Sequence, residues 1–173
     1  MSASTKVSLD ETAPNEYARL LDLLRGGPVA VLTGAGLSTA SGVPAYRDRD
    51  GQWRHAPPIR HQDFLASDTV RRRYWARSFV GWPHVGQAVP NAGHHALAAL
   101  EAAGVVSAVI TQNVDGLHQR AGSRALIELH GATRQVRCLS CGAMFAREAI
   151  QDWLVVANPG FAGHDAAVRP DGD

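Results

Sequence analysis

Apolar positions along this chain recur with two different periods. From residue 16 to 24, Tyr17, Leu20, Leu21 and Leu24 fall at helical spacing, and Gly26-Gly27 follows as a natural helix stop. Val29 to Leu32 is an unbroken apolar run that reads as a buried strand, and the strand 29–33 empties into Gly34-Ala35-Gly36. Small and hydroxyl residues come next, Ser38, Thr39, Ala40 and Ser41, and these suit the start of a helix. Residues 48–60 hold Pro57-Pro58 and few apolar side chains, so they read as a mobile loop. The charged and aromatic stretch 64–82 reads as one or two helices, and 91–103, rich in Ala and Leu, as a helix closed by Gly104. A second β-branched run, 105–111, predicts another core strand, and Leu126 to Gly131 is again strand-like with a polar end. Beyond Cys141 the periodicity weakens, and 158–173, rich in Gly, Pro, Ala and Asp, suits a loop. No internal repeat is visible. Strands alternating with helices over 173 residues predict an α/β fold with one real core.

Composition narrows the function classes. Hydrophobic content of 45% and a mean hydropathy of −0.14 are ordinary for a globular chain. No apolar run approaches the roughly 20 residues of a membrane span, which argues against a membrane partner. A net charge of +1 provides no basic field for nucleic acid; the run Arg71-Arg72-Arg73 reads as a solvated helix face. Residues 1–13 are polar, without an apolar core or an Arg-rich amphipathic pattern. They predict a flexible tail with no signal or transit peptide, hence a cytoplasmic protein. The two cysteines, Cys138 and Cys141, form a C-x-x-C pair, which does not suggest a disulfide scaffold.

The candidate chemistry starts at the first glycine turn. A strand, a Gly-x-Gly turn and a helix start can cradle phosphate, because unpaired N–H groups and the helix dipole face the anion. The turn lacks the full G-x-G-x-x-G pattern, since Thr39 occupies the third position after Gly36, and no Gly-Lys-Ser/Thr follows. By itself it fits a nucleotide site and a plain βα turn equally well. The tail Ser41-Gly42-Val43-Pro44-Ala45-Tyr46-Arg47 favours the nucleotide: Tyr46 can cover a flat ring and Arg47 can pair with phosphate. Downstream, Thr111-Gln112-Asn113-Val114-Asp115 places polar groups at the end of a strand, where open α/β sheets bind ligands. Asn-x-Asp taken alone is as compatible with a turn as with a site. His130-Gly131 ends the third strand-like run, and His94 reads as a structural residue at a helix N-terminus.

Taken together, Gly34-Ala-Gly-Leu-Ser38, Ser41-Gly-Val-Pro44, Tyr46-Arg47, Gln112-Asn-Val-Asp115, His130-Gly131 and Cys138-x-x-Cys141 resemble, in order and spacing, the sirtuin family of NAD-dependent protein deacylases. The stretch Arg73 to Pro83 is similar to the class II, mitochondrial-type members. The resemblance implies a partial Rossmann-like parallel sheet spanning residues 14–137, with a cofactor loop at 44–60 and a small helical module at about 61–90. It also implies an incomplete zinc-binding module at 138–173. The implied reaction moves an acyl group from a lysine of a protein substrate to the ADP-ribose of NAD and releases nicotinamide. His130 matches the general base, and imidazole suits that task because its unperturbed pKa of about 6.5 lies near working pH. Gly34, Ala35, Gly36, Ser38, Tyr46, Arg47, Gln112, Asn113 and Asp115 match cofactor-binding positions. Tyr74 and Arg77 have the Tyr-x-x-Arg spacing that binds acidic acyl groups in some members, and at i and i+3 they would share a helix face. Mono-ADP-ribosyl transfer on a protein is a second activity the resemblance allows.

The chain also departs from the family pattern. Ala45 stands where an aspartate is usual. Cys138 and Cys141 match half of a four-cysteine zinc site, no cysteine follows, and His164 or Asp165 is a weak substitute. The resemblance therefore implies a C-terminally truncated sirtuin. An open sheet edge would then favour self-association or a role as an inactive interaction remnant.

Overall fold

The computed structural model describes residues 16–48, 50–54 and 58–161. The tail expected at 1–13 and the candidate ligands His164 and Asp165 lie outside the described residues, as does part of the loop at 48–60.

Three parallel strands form the sheet: β1 (Val29–Thr33), β2 (Val106–Thr111) and β3 (Leu126–Glu128), with β2 in the middle. The central strand is the most β-branched, and its Val106, Val109 and Thr111 are buried. Register aligns Thr33, Thr111 and Glu128 side by side, so all three chains leave the sheet at the same edge. This is the Rossmann-like parallel arrangement expected from the sequence. β1, however, is not buried on both faces. Leu32 is 65% exposed, and it stands in register with Ile110 and with the exposed Ile127. That face of the sheet is left open by the described residues, so an apolar run that reads as a doubly covered strand is covered on one side only.

The helices follow local signals. α1 (Glu16–Arg25) stops where predicted, at Gly26-Gly27. α2 (Ala35–Ser38) begins directly after Gly34, earlier than the hydroxyl-rich segment suggested. It continues for one 3-10 turn to Gly42, whose φ of 84° suits glycine. The stretch predicted as one or two helices is two, α3 (His61–Ala66) and α4 (Asp68–Gln87), separated at Ser67, which caps α4 by accepting from Val70 N at 3.4 Å. α5 (Ala92–Ala102) has Asn91 as its cap and is followed, after Ala103, by Gly104 at a φ of 75°. Its His94 is a buried capping-box partner of Asn91, in keeping with a structural role. The short α6 (Leu117–Ala121) follows β2, and Val43, Ala88 and Leu117 pack into a small core beside it.

After β3 the chain forms an antiparallel hairpin, β4 (Gln135–Arg137) with β5 (Met144–Ala146), and then α7 (Arg147–Ala157). The weak periodicity beyond Cys141 assigns no element to this stretch. α7 starts without a side-chain cap, so the usual start signal is missing. It is held by α4 instead. Pro83 lies inside α4 and has no N–H for the carbonyl of Phe79, and Gln151 Nε2 donates to that carbonyl at 2.9 Å. Phe161 packs edge-on against Phe79, with ring centres 5.3 Å apart.

Candidate active site

The aligned strand ends put three polar segments together. Gly34 follows β1, Gln112 and Asn113 follow β2, and His130 lies just beyond β3. Thr33 O accepts from Gln112 N at 3.0 Å, and Thr111 O accepts from Leu129 N at 2.9 Å, so the ladder carries past the strands into the site.

A buried network fixes the floor of the site. Ser38, fully buried, donates through Oγ to Asp115 Oδ2 at 2.7 Å. Asn113 Nδ2 donates to Ser38 Oγ and to Gly34 O, each at 3.1 Å. Asp115 Oδ1 accepts from Leu117 N at 2.9 Å, which starts α6. The Asn-x-Asp segment is thus a turn and part of a site at once. Below it, Thr33 Oγ1 donates to Thr111 Oγ1 at 2.8 Å and lies 2.9 Å from His118 Nε2. Burial lowers the pKa of His118 and of His94, whose rings stack edge-on 5.0 Å apart; each also feels the opposing pull of Asp115. Sequence reading had assigned His118 no role.

Above this floor is a cavity of about 830 Å³. Ala35, Gly36, Ser38, Tyr46, Arg47, Gln112, Asn113, Asp115 and His130 all line it, with Tyr74. Gly34 sits just behind, and a Cβ there would lie 3.6 Å from Gln112 Oε1. α2 is only four residues long, so its dipole is small. What the glycine turn offers an anion is the N–H groups at its very start, Ala35 and Gly36, because Leu37 N already donates to Gly34 O at 3.0 Å. Arg47 is tied to its own loop: Nη1 donates to Gly51 O at 2.7 Å, and the guanidinium sits 4.0 Å over the Trp53 ring. Ala45 also lines the cavity and brings no charge to it.

His130 is exposed, and its Nδ1 lies 3.1 Å from Gln112 O. A carbonyl can only accept, so in the neutral ring this contact puts the proton on Nδ1 and the lone pair on Nε2.

Arg77 and the two cysteines lie apart from this group. Tyr74 lines the large cavity, whereas Arg77 lines a neighbouring one of about 450 Å³ with Arg60, Asp63 and Arg73. Cys138 and Cys141 sit on the tight turn of the β4–β5 hairpin, where Gly142 N donates to Cys138 O at 3.0 Å. Hydrogen bonds to the Cys138 sulfur from the backbone of Cys141 and of Ser140 lower its pKa, which favours a metal-binding thiolate. Among the described residues no third His, Cys, Asp or Glu joins them, so these residues supply two donors where a closed zinc site needs four.

The cavity also has walls that sequence reading did not assign to a site. Trp75, Ser78 and Trp82 from α4 and Arg147 from α7 line it. The three α4 residues fall within the class II-like stretch; nothing local marks Arg147. No helix among the described residues is long and apolar enough to cross a membrane.

A model of the Sir2 family matches residues 34–171. An NAD-dependent protein deacetylase of Xanthomonas axonopodis pv. citri (strain 306) is 55% identical over 143 residues, covering 83% of this chain and 49% of that protein. NAD-dependent protein deacetylase 1 of Streptomyces coelicolor (strain ATCC BAA-471 / A3(2) / M145) is 50% identical over 158 residues, covering 91% and 53%. The chain spans about half the length of the curated relatives it matches. Among solved structures, one from work on the mechanism and regulation of Sir2 enzymes has a TM-score of 0.68 at 37% identity, covering 83% of this chain and 57% of that one. A Sir2–p53 peptide–NAD+ complex has a TM-score of 0.65 at 34% identity, covering 90% and 63%. With a family match over most of its length and a parallel sheet whose strand ends carry that family's motifs, the chain belongs to the Sir2 family.

Proposed function

We propose that this chain carries the reacting part of an NAD-dependent protein lysine deacylase, with His130 as the general base. The observation that carries this reading is the bond from His130 Nδ1 to the Gln112 carbonyl, which turns the Nε2 lone pair free in the cavity that Gly36, Ser38, Asn113 and Asp115 line. NAD would supply an activated ribose as the acyl acceptor, with nicotinamide as leaving group. The Gly34-Ala35-Gly36 turn would hold its phosphate side, and Asn113, Asp115 and Gln112 its ribose and carboxamide. An amide can donate and accept, and a carboxylate accepts from a carboxamide N–H. Tyr46 and Arg47 would cover the cofactor from the loop. The acyl oxygen of the lysine side chain would displace nicotinamide at the ribose C1′; His130 Nε2 would then take the proton of a ribose hydroxyl as that oxygen adds to the former acyl carbon, and with water the free lysine amine would leave and the acyl group stay on the ribose. The relatives' names and the peptide and NAD+ in a structural neighbour support the same substrates.

The test is calorimetric binding of NAD to this chain, followed by turnover of an acetyl-lysine peptide in the wild type and in His130→Ala. The reading predicts that the variant still binds NAD and loses turnover by about 100-fold or more, the usual weight of a general base. Absence of NAD binding, or full turnover by the variant, would sink it. Label from the adenylate half retained on protein would favour ADP-ribosyl transfer instead.

A further inference from the structure

The ring of His130 is exposed and is oriented through Nδ1, 3.1 Å from the Gln112 carbonyl. One hydrogen bond at a surface competes with water and holds little by itself. The segment that carries the ring is tied down more firmly. Leu129 N donates to Thr111 O at 2.9 Å. Thr133 donates to Val114 O through N at 2.9 Å and through Oγ1 at 2.8 Å. Between these ties Gly131 turns the chain at a φ of 78°, a conformation that suits glycine. The segment after β3 therefore follows the carbonyls at the end of β2, and His130 rides on it.

A charge pair joins the two ends of that segment. Arg134 Nη1 donates to Glu128 Oε1 at 2.7 Å and Nη2 to Glu128 Oε2 at 2.8 Å, so the guanidinium fork spans both carboxylate oxygens. The Glu128 side chain is 18% exposed, which screens the pair less than a fully solvated one. The hydrogen bonding between them lowers the pKa of Glu128 and raises that of Arg134, each against the effect of burial. Both ends are anchored further. Glu128 closes β3 opposite Thr111. Arg134 lies against Gly116, where a Cβ would meet its Cδ and Nη1 at 3.9 Å, and its carbonyl accepts from Arg147 N at 2.9 Å. His130, Ala132 and Thr133 line the cavity, whereas Glu128 and Arg134 are not part of its lining. The pair stands behind the wall that presents the base.

We propose that Glu128 and Arg134 are positioning residues for the base: their ion pair closes the segment 128–134 and holds the His130 ring with Nδ1 on the Gln112 carbonyl. The assignment rests on the reading of His130 as the general base. With the pair broken, the segment loosens and the ring leaves Gln112 O, so nothing fixes which ring nitrogen carries the proton. Arg134→Lys keeps the charge and loses the planar fork, so it breaks the pair in part.

The full chain is labelled for ring-nitrogen NMR of its histidines, as wild type, Glu128→Gln, Arg134→Lys and Arg134→Gln. His130→Ala identifies the His130 signals. At about pH 8.5, where an unperturbed imidazole is neutral, the shifts report which nitrogen carries the proton, with no substrate present. NAD binding is measured by calorimetry on the same proteins, and kcat and KM with an acetyl-lysine peptide. The wild-type ring should be in the Nδ1–H form. Both Gln variants should move to a mixture with Nε2–H, and Arg134→Lys should move part of the way. In the Gln variants kcat should fall by about tenfold or more, as expected for a misplaced base, with NAD affinity unchanged within about twofold. If Arg134→Gln does not fold, Glu128→Gln and Arg134→Lys still decide. A wild-type ring in the Nε2–H form would overturn the inference. So would an Nδ1–H form kept in every variant; lower thermal stability would then make the pair purely structural and leave the role of His130 intact. NAD affinity lost in step with kcat would also overturn it, because the pair would then support the whole cofactor site. Full turnover by His130→Ala would remove the deacylase reading instead, and the tautomer measurement, which needs no turnover, would decide the hold on the ring separately.

Discussion

Ser38 carries the most consequence for its size. Its hydroxyl donates to Asp115 and accepts from Asn113, so one buried atom joins the segments that leave β1 and β2. Ser38→Ala would leave Asp115 Oδ2 without this donor in a part-buried setting. The expected cost is about 1–3 kcal/mol, read as a lower urea midpoint at constant slope. An unchanged midpoint would mean that Asp115 finds another partner. His130 is the opposite case. Its side chain is exposed, so His130→Ala should alter stability by no more than about 0.5 kcal/mol while removing activity. A large drop in its melting temperature would show that His130 supports the strand ends structurally.

At the scale of elements, α5 shows how a local signal becomes a tertiary one. Asn91 caps the helix by accepting from Gly93 N at 2.9 Å, an arrangement its position before 92–102 suggests. Its Nδ2 also donates to Leu37 O at 2.8 Å and to Ser41 Oγ at 3.0 Å, which ties α5 to the glycine turn. Asn91→Ala should therefore cost about 2 kcal/mol, the top of the range for a cap alone, and should weaken NAD binding. Asn91→Asp keeps the cap acceptor and loses the Nδ2 bonds. If it matches wild type in both measurements, the link to the turn carries nothing. α4 and α7 are joined in the same way, through Arg147 and Gln151 to residues about 70 positions earlier.

For the molecule as a whole, the buried pair His94 and His118 sets a pH limit. Both pKa values are held below 6.5 by burial, while an unfolded chain protonates its histidines near 6.5. Below that pH the unfolded state binds more protons, so stability is present above about 6.5 and falls as the pH drops through it. The melting temperature should decrease between about pH 7.5 and about pH 5.5, before the carboxylates begin to titrate. Glu128, held low by Arg134, and Glu101, held low by backbone donors, extend the loss further into acid. A flat profile down to about pH 5.5 would mean that both rings are protonated in the fold, or that water reaches them.

The strands, the glycine turn, α1, α5 and the helical character of 64–82 were legible in the sequence, because each has a local cause such as a β-branched run or a stop glycine; whether 64–82 held one helix or two was left open. So was the set of residues that meet at the strand ends, since parallel strands leave a sheet on one side and motifs placed after them must converge. Tertiary structure decided the rest. α7 lacks a start signal and is stabilised by what it packs on. Arg147 is a residue type expected at the surface, and only the docking of α7 on α4 buries it. Tyr74 and Arg77 differ by three positions and would be assigned one helix face, yet the packing around α4 opens them to different cavities. Spacing along one element fixes which side chains are neighbours on it; which space they face is set by contacts between elements far apart in the chain.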